Sequence, residues 1–134
     1  MDLSIINWLA VLVAALSGFA VGGLWYSPIL FGKIWQVESG MTDEKIKGGS
    51  MGKIFGITFV LNILIAINMS FFFGGEVGLT DGLMYGAFTG IFFVGAAFAI
   101  TYLFEHKSLK LWLINAGYQA VIFTVIGGIL GAWH

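Results

Sequence analysis

Four long apolar runs, separated by short stretches that hold nearly all the charge, organise this chain. The first, about Ile5 to Trp25, has no charged residue over 21 positions. The others run from about Ile54 to Phe73, Gly82 to Phe104 and Leu111 to Trp133. At about 1.5 Å per residue, such a run coiled as a helix reaches roughly 31 Å, enough to cross a hydrocarbon core. Strands of a membrane barrel would alternate apolar and polar residues, and these runs do not, so the expectation is all-α. The stretch 33–53 is different: it carries Lys33, Glu38, Asp43, Glu44, Lys45, Lys47 and Lys53, with glycines at 40, 48, 49 and 52. It reads as a short amphipathic piece (Ile29 to Val37), a turn at Ser39-Gly40, and a helical start capped by Thr42. Asp43 and Glu44 stand there at the positive helix end. Gly74 to Asp81 reads as a short loop and Glu105 to Lys110 as a tight polar turn.

The end of the first run carries its own signals. Trp25 and Tyr26 have amphipathic rings suited to a headgroup layer. Pro28, the only proline, removes an amide donor and moves Ser27 away from helical torsions. A helix entering here should stop or bend between Trp25 and Leu30. Lys33 is the first basic residue and Trp35 a second interfacial ring. Trp25, Tyr26, Ser27, Pro28, Lys33 and Trp35 are therefore expected to mark the inner interface.

Composition changes this picture little. With 59% hydrophobic and 10% charged residues, too few charges exist to cover a soluble domain. The expected object is a single transmembrane domain over residues 1–134, an integral membrane four-helix bundle in the lipid bilayer. Absent cysteine excludes disulfides and thiolate chemistry. A net charge of −1 without arginine argues against nucleic acid as a partner. Met1-Asp2-Leu3 lacks a basic n-region, so no cleavable signal peptide is expected. All six lysines lie in 33–53 and 105–110, and none lies at either terminus or in 74–81. That bias places loop 33–53 and the Glu105–Lys110 turn in the cytoplasm and both termini outside, in the cytoplasmic (inner) membrane of a bacterium. Tryptophans agree, with Trp8 and Trp133 at the outer boundary and Trp25, Trp35 and Trp112 at the inner one.

Small residues recur at intervals of four: Ala14, Gly18 and Gly22; Thr58, Asn62, Ala66, Ser70 and Gly74; Gly82, Gly86 and Gly90; Ala116, Ala120, Thr124, Gly128 and Ala132, with Gly127 and Gly131 beside them. Such stripes let helix backbones approach closely in lipid. Polar residues inside the runs are the candidates for chemistry. Ser17 and Asn62 fall near mid-membrane, and Asn115, Tyr118 and Gln119 share one face of the fourth run at i, i+3 and i+4. Buried amides need partners, so these five should face the bundle interior. At matching depth Asn62 and Gln119 are expected to meet, with Tyr118 lending a hydroxyl. Two readings stay open: a hydrogen-bonded site for a small polar solute, or ties between helices, the commoner use of such groups. Only His106 and His134 exist, on opposite faces by these boundaries, so no metal site and no Ser–His–Asp arrangement is expected. No phosphate-cradling GxxxxGK[ST] occurs, and no cofactor is expected.

Two stretches together, Leu24-Trp25-Tyr26-Ser27-Pro28 continuing to Phe31-Gly32-Lys33 and Trp35, and Asn115-Ala116-Gly117-Tyr118 followed by Gly127 and Leu130-Gly131-Ala132-Trp133, resemble a family of small bacterial and fungal four-helix membrane proteins catalogued only as a domain of unknown function. The similarity covers nearly the whole chain. It implies fold and membrane location and supplies no activity, and it marks Trp25, Tyr26, Pro28, Lys33, Asn115 and Tyr118 as the family's most recognisable positions. Small multidrug exporters carry a glutamate in their first span, and no acid lies here between Asp2 and Glu38. The filter motif and arginine of fluoride channels are also missing.

The function expected from the polar set is transport or channel activity for a small solute, not catalysis. Four helices leave little room for a pore within one chain, so a homo-oligomer is expected. The alternative is a non-catalytic structural, interaction or lipid-binding subunit, suggested by the small-residue stripes. A lipid enzyme would have only Glu105, His106, Lys107 and Tyr26 as reactive groups near the inner face.

Overall fold

A computed structural model describes residues 2–134. A 3-10 turn, Leu3–Ile5, leads into α1 (Trp8–Trp25), α2 (Gly32–Ser39), α3 (Asp43–Gly48) and α4 (Met51–Phe73). Then come α5 (Leu79–Phe88), a π-helical segment (Thr89–Gly95), α6 (Ala96–Phe104) and α7 (Leu109–Ala132). No strand occurs among the described residues. Helix α5, the π segment and α6 follow one another without a break and make a single rod. Four rods are thus long and apolar enough to cross a membrane: Trp8–Trp25, Met51–Phe73, Leu79–Phe104 and Leu109–Ala132.

Caps decide where the rods begin, and they move the expected boundaries by about three residues. Asn7 accepts the Ala10 amide, so α1 starts at Trp8 and Ile5 stays in the 3-10 turn. Ser50 accepts the Lys53 amide and Ser108 the Leu111 amide, which brings Met51–Lys53 and Leu109 into helix. The third rod starts at Leu79, with Asp81 in its first turn, where the helix dipole favours a carboxylate. Thr42 caps α3 as expected, accepting from Lys45.

Helix α1 stops at Trp25, in the window expected from Pro28. The Leu30 and Gly32 amides both donate to the Ser27 carbonyl, and the Phe31 amide reaches back to Trp25. Gly32 is needed here, because a Cβ at this position would run into the Tyr26 carbonyl. The piece expected from Ile29 therefore becomes helix only at Gly32.

Helix α7 is central, with α1 on one side and the Leu79–Phe104 rod on the other, while α4 leans mainly on α1. Side chains at Gly82 and Gly86 would strike the Gly127 and Phe123 carbonyls, and one at Gly131 the Gly78 carbonyl. These two rods touch backbone to backbone, as the small-residue pattern predicts. On α7 this contact is made by Ala120 and the Thr124 backbone of the expected stripe together with Phe123, Gly127 and Gly131 beside it. Gly128 meets the Leu83 side chain and Ala132 is exposed. On α4, Ala66 is fully buried, while Thr58 is half-buried and Gly74 exposed. The apolar core (Ile6, Val11, Ala14, Met69, Ile122, Ile126 and Leu130 among others) fills the half of the bundle nearest the termini. The other half is held differently.

Candidate functional site: a polar node and an apolar groove

In the half nearest the lysines, hydrogen bonds link three of the four rods. The Tyr26 hydroxyl donates to Asn115 Oδ1 at 2.7 Å, and Asn115 Nδ2 donates to the Tyr102 hydroxyl at 2.9 Å. Asn115 thereby joins the end of α1 to the third rod. Trp25 Nε1 donates to the Ile114 carbonyl at 2.9 Å. Its ring fits because the neighbouring residue is Gly117, where a Cβ would lie 3.0 Å from Trp25 Cζ2. Rings complete the node: Tyr26 lies 5.4 Å from Tyr118 and 5.5 Å from Trp35 between centroids. Burial pushes the Tyr26 phenol above its ordinary range, so it stays a neutral donor.

Nearer mid-bundle, two polar groups converge on α1. The Tyr118 hydroxyl donates to the Gly18 carbonyl at 3.0 Å, and Asn62 Nδ2 donates to the Ala15 carbonyl at 3.2 Å. Gly18 makes room, since its Cβ would stand 2.6 Å from Asn62 Nδ2. The expected contact between Asn62 and Gln119 does not form. Equal depth sets height but not direction: one residue turns a helix by about 100°. Tyr118 therefore faces α1, while the Gln119 backbone lies against Gly90 of the third rod. The half-buried Gln119 side chain has no hydrogen-bond partner among the described residues. Ser17 bonds within its own helix, to Ala14, at 2.6 Å. Ser27 likewise bonds to Leu24, while Pro28 and Lys33 are exposed.

Two contributors escaped the sequence reading. Tyr102 supplies the third corner of the node. Trp112 Nε1 donates at 2.9 Å to the carbonyl of Gly95, the last residue of the π segment. Every buried polar side-chain atom among the described residues has a partner. The node is thus a set of neutral donors and acceptors linked across three rods, suited to holding helices together.

A second feature is apolar. Between α4 and the third rod runs a groove of about 870 Å³, walled by Leu64 and Phe72 on one side and Phe88 and Phe93 on the other, with Phe123 beneath. Phe73 and Tyr85 approach to 6.1 Å where the groove ends. Two polar residues interrupt it. Thr89 donates to its own helix at Tyr85, and Asn68 donates one amide hydrogen to Leu64. The exposed Asn68 keeps its carbonyl oxygen and second hydrogen for something else.

A family model described as "Protein of unknown function (DUF1761)" matches residues 9–131. The chain belongs to the DUF1761 family. No curated protein and no solved structure matches it. Of the six positions that carry the family resemblance, Trp25, Tyr26, Asn115 and Tyr118 meet in the node, Pro28 lies in the turn leading out of it, and Lys33 is exposed on α2. In this DUF1761 chain residues 24–28 and 115–118 meet at one helix junction, while Gly127 and Gly131 of the second motif pack against Gly82 and Gly78 at the other end of α7.

Proposed function

We propose that this DUF1761 protein is a non-catalytic membrane subunit that holds a membrane lipid in the groove between α4 and the third rod. One observation carries the reading: Asn62, Asn115 and Tyr118 are used between helices, while the apolar groove stands open sideways with the Asn68 amide in its wall. Its 870 Å³ lies in the range of ligand sites, roughly 300–1,000 Å³. An amide in a bilayer loses free energy unless its hydrogen-bonding groups are met, which favours an occupant with a polar end. Lysine loops in the cytoplasm and both termini outside, in a bacterial inner membrane, complete the proposal. Mass spectrometry of the protein released intact from nanodiscs tests it. The wild type should retain lipid, and Leu64→Trp, which fills the groove, should retain less. Equal retention by both would reject the groove as the site.

The second reading is a homo-oligomeric transport or channel protein for a small solute, with its path between copies. Asn68 favours it, because a second copy seated in the groove could satisfy the amide. Flux above that of empty vesicles, from a protein that runs as a multimer, would replace the first reading.

A further inference from the structure

The two ends of the bundle differ in charge. The end formed by 26–50 and 105–110, with Lys53 one turn into α4, carries all six lysines and four acids. The opposite end carries three acids (Asp2, Glu76 and Asp81) and no lysine. At the lysine end, beside the node and sharing its Tyr102, lies a pocket of about 260 Å³ lined also by Ala99, Leu103, Lys107, Ser108, Leu109 and Trp112. Its composition is divided. Ala99, Leu103, Leu109 and the Trp112 ring make an apolar wall that runs along the third rod, and Lys107 supplies a cation at the turn. The Lys107 backbone is held in place by its N–H, which donates to the Tyr102 carbonyl at 2.9 Å. His106 beside it takes a left-handed φ of 57°, which fixes the turn that puts Lys107 over the helix end.

Tyr102 adds a directed donor. Its oxygen already accepts from Asn115 Nδ2, so its own proton is not used in the node. Asn115 Oδ1 is occupied by the Tyr26 hydroxyl at 2.7 Å, so in this orientation it does not take the Tyr102 proton. The Trp112 indole N–H is also committed, to Gly95, so the ring presents only its apolar body to the pocket. Ser108 accepts the Leu111 amide to cap α7 and keeps its own hydroxyl proton. The groups free to meet a ligand are then the Lys107 ammonium and the Tyr102 and Ser108 hydroxyls, above an apolar wall.

We propose that this pocket binds one anionic phospholipid of the lysine-side leaflet. Its phosphate pairs with Lys107 and accepts from Tyr102, and one acyl chain lies along Ala99, Leu103 and Trp112. A headgroup with net negative charge is selected over a zwitterionic one because the surrounding end of the bundle is net positive. The proposal uses different residues from the groove and stands whether or not the groove holds lipid.

The test is lipid retention by intact-protein mass spectrometry from nanodiscs made of phosphatidylcholine with a minor fraction of phosphatidylglycerol. Wild type should keep one phosphatidylglycerol in preference to phosphatidylcholine. Lys107→Gln should lower that retention about fivefold, the worth of one lysine at an anionic surface. Tyr102→Phe should lower it further than its loss of thermal stability in pure phosphatidylcholine accounts for. Lys47→Gln, a lysine on α3 away from the pocket, should leave it unchanged, and Leu64→Trp should affect only lipid held in the groove. Equal retention of the two lipids would overturn the proposal, as would equal losses from Lys107→Gln and Lys47→Gln. Displacement of phosphatidylglycerol by millimolar inorganic phosphate would also overturn it, by showing a free-anion site.

Discussion

Replacing Asn115 with leucine removes the centre of the node while keeping side-chain volume close. Two hydrogen bonds vanish, those to Tyr26 and Tyr102. In membrane bundles such bonds average about 0.6 kcal/mol each and reach about 1.7. Two hydroxyls also lose their partner in a half-buried setting, which adds to the cost. The expected loss is about 1–3 kcal/mol, or about 5–10 °C in Tm for a chain of this size. Thermal unfolding in mild detergent, followed by tryptophan fluorescence, reads it. The sharper part is the coupling: Tyr26→Phe should cost about 0.6 kcal/mol alone and almost nothing once Asn115 is leucine. If Asn115→Leu is neutral, or the two losses simply add, Asn115 does not hold these rods together.

Other outcomes follow from the same geometry. Gly86→Ala should destabilise by about 1–3 kcal/mol, because its Cβ meets the Phe123 carbonyl and the Thr124 backbone rather than a movable side chain; the fraction of monodisperse protein on gel filtration should fall. Gly23→Ala, where a Cβ meets nothing, should raise stability by about 0.5–1 kcal/mol in the same melting assay. Asn62→Leu should lower Tm slightly and leave lipid retention intact, since Asn62 serves only the Ala15 carbonyl. Single cysteines at Ser50, Gly75 and Ser108, introduced into a chain with none of its own, should react with an impermeant reagent from inside, outside and inside. Reaction at 50 and 75 from one side would reject the proposed orientation.

The four rods were legible because a bilayer demands unbroken apolar runs, and the stop after Trp25 because proline acts locally. Rod starts were misplaced where a charged residue sat inside a first turn. Lys53 and Asp81 read as loop, yet Ser50 caps the one helix and Asp81 suits the start of the other. The pairing of polar groups was the part the pattern could not carry. Asn62 and Gln119 share a depth, but azimuth depends on how α7 is rotated against Gly82 and Gly86, a contact between backbones. Tyr102 offered one usable signal, a third tyrosine near the lysine end of its rod. The π segment offered only the glycines at 90 and 95, too common a feature in such rods to single out. The groove arises from two rods that do not close on each other, which no local pattern encodes.

The central claim is that Asn62, Asn115 and Tyr118 tie helices together in a dry interior. Ser17→Cys tests it most directly, as a near-isosteric change beside the Asn62 and Tyr118 bonds to α1. In sealed proteoliposomes a small water-soluble thiol reagent should fail to modify this cysteine from either side, while Ser50→Cys reacts fully. Rapid modification of residue 17 would reveal water in the bundle and contradict the account.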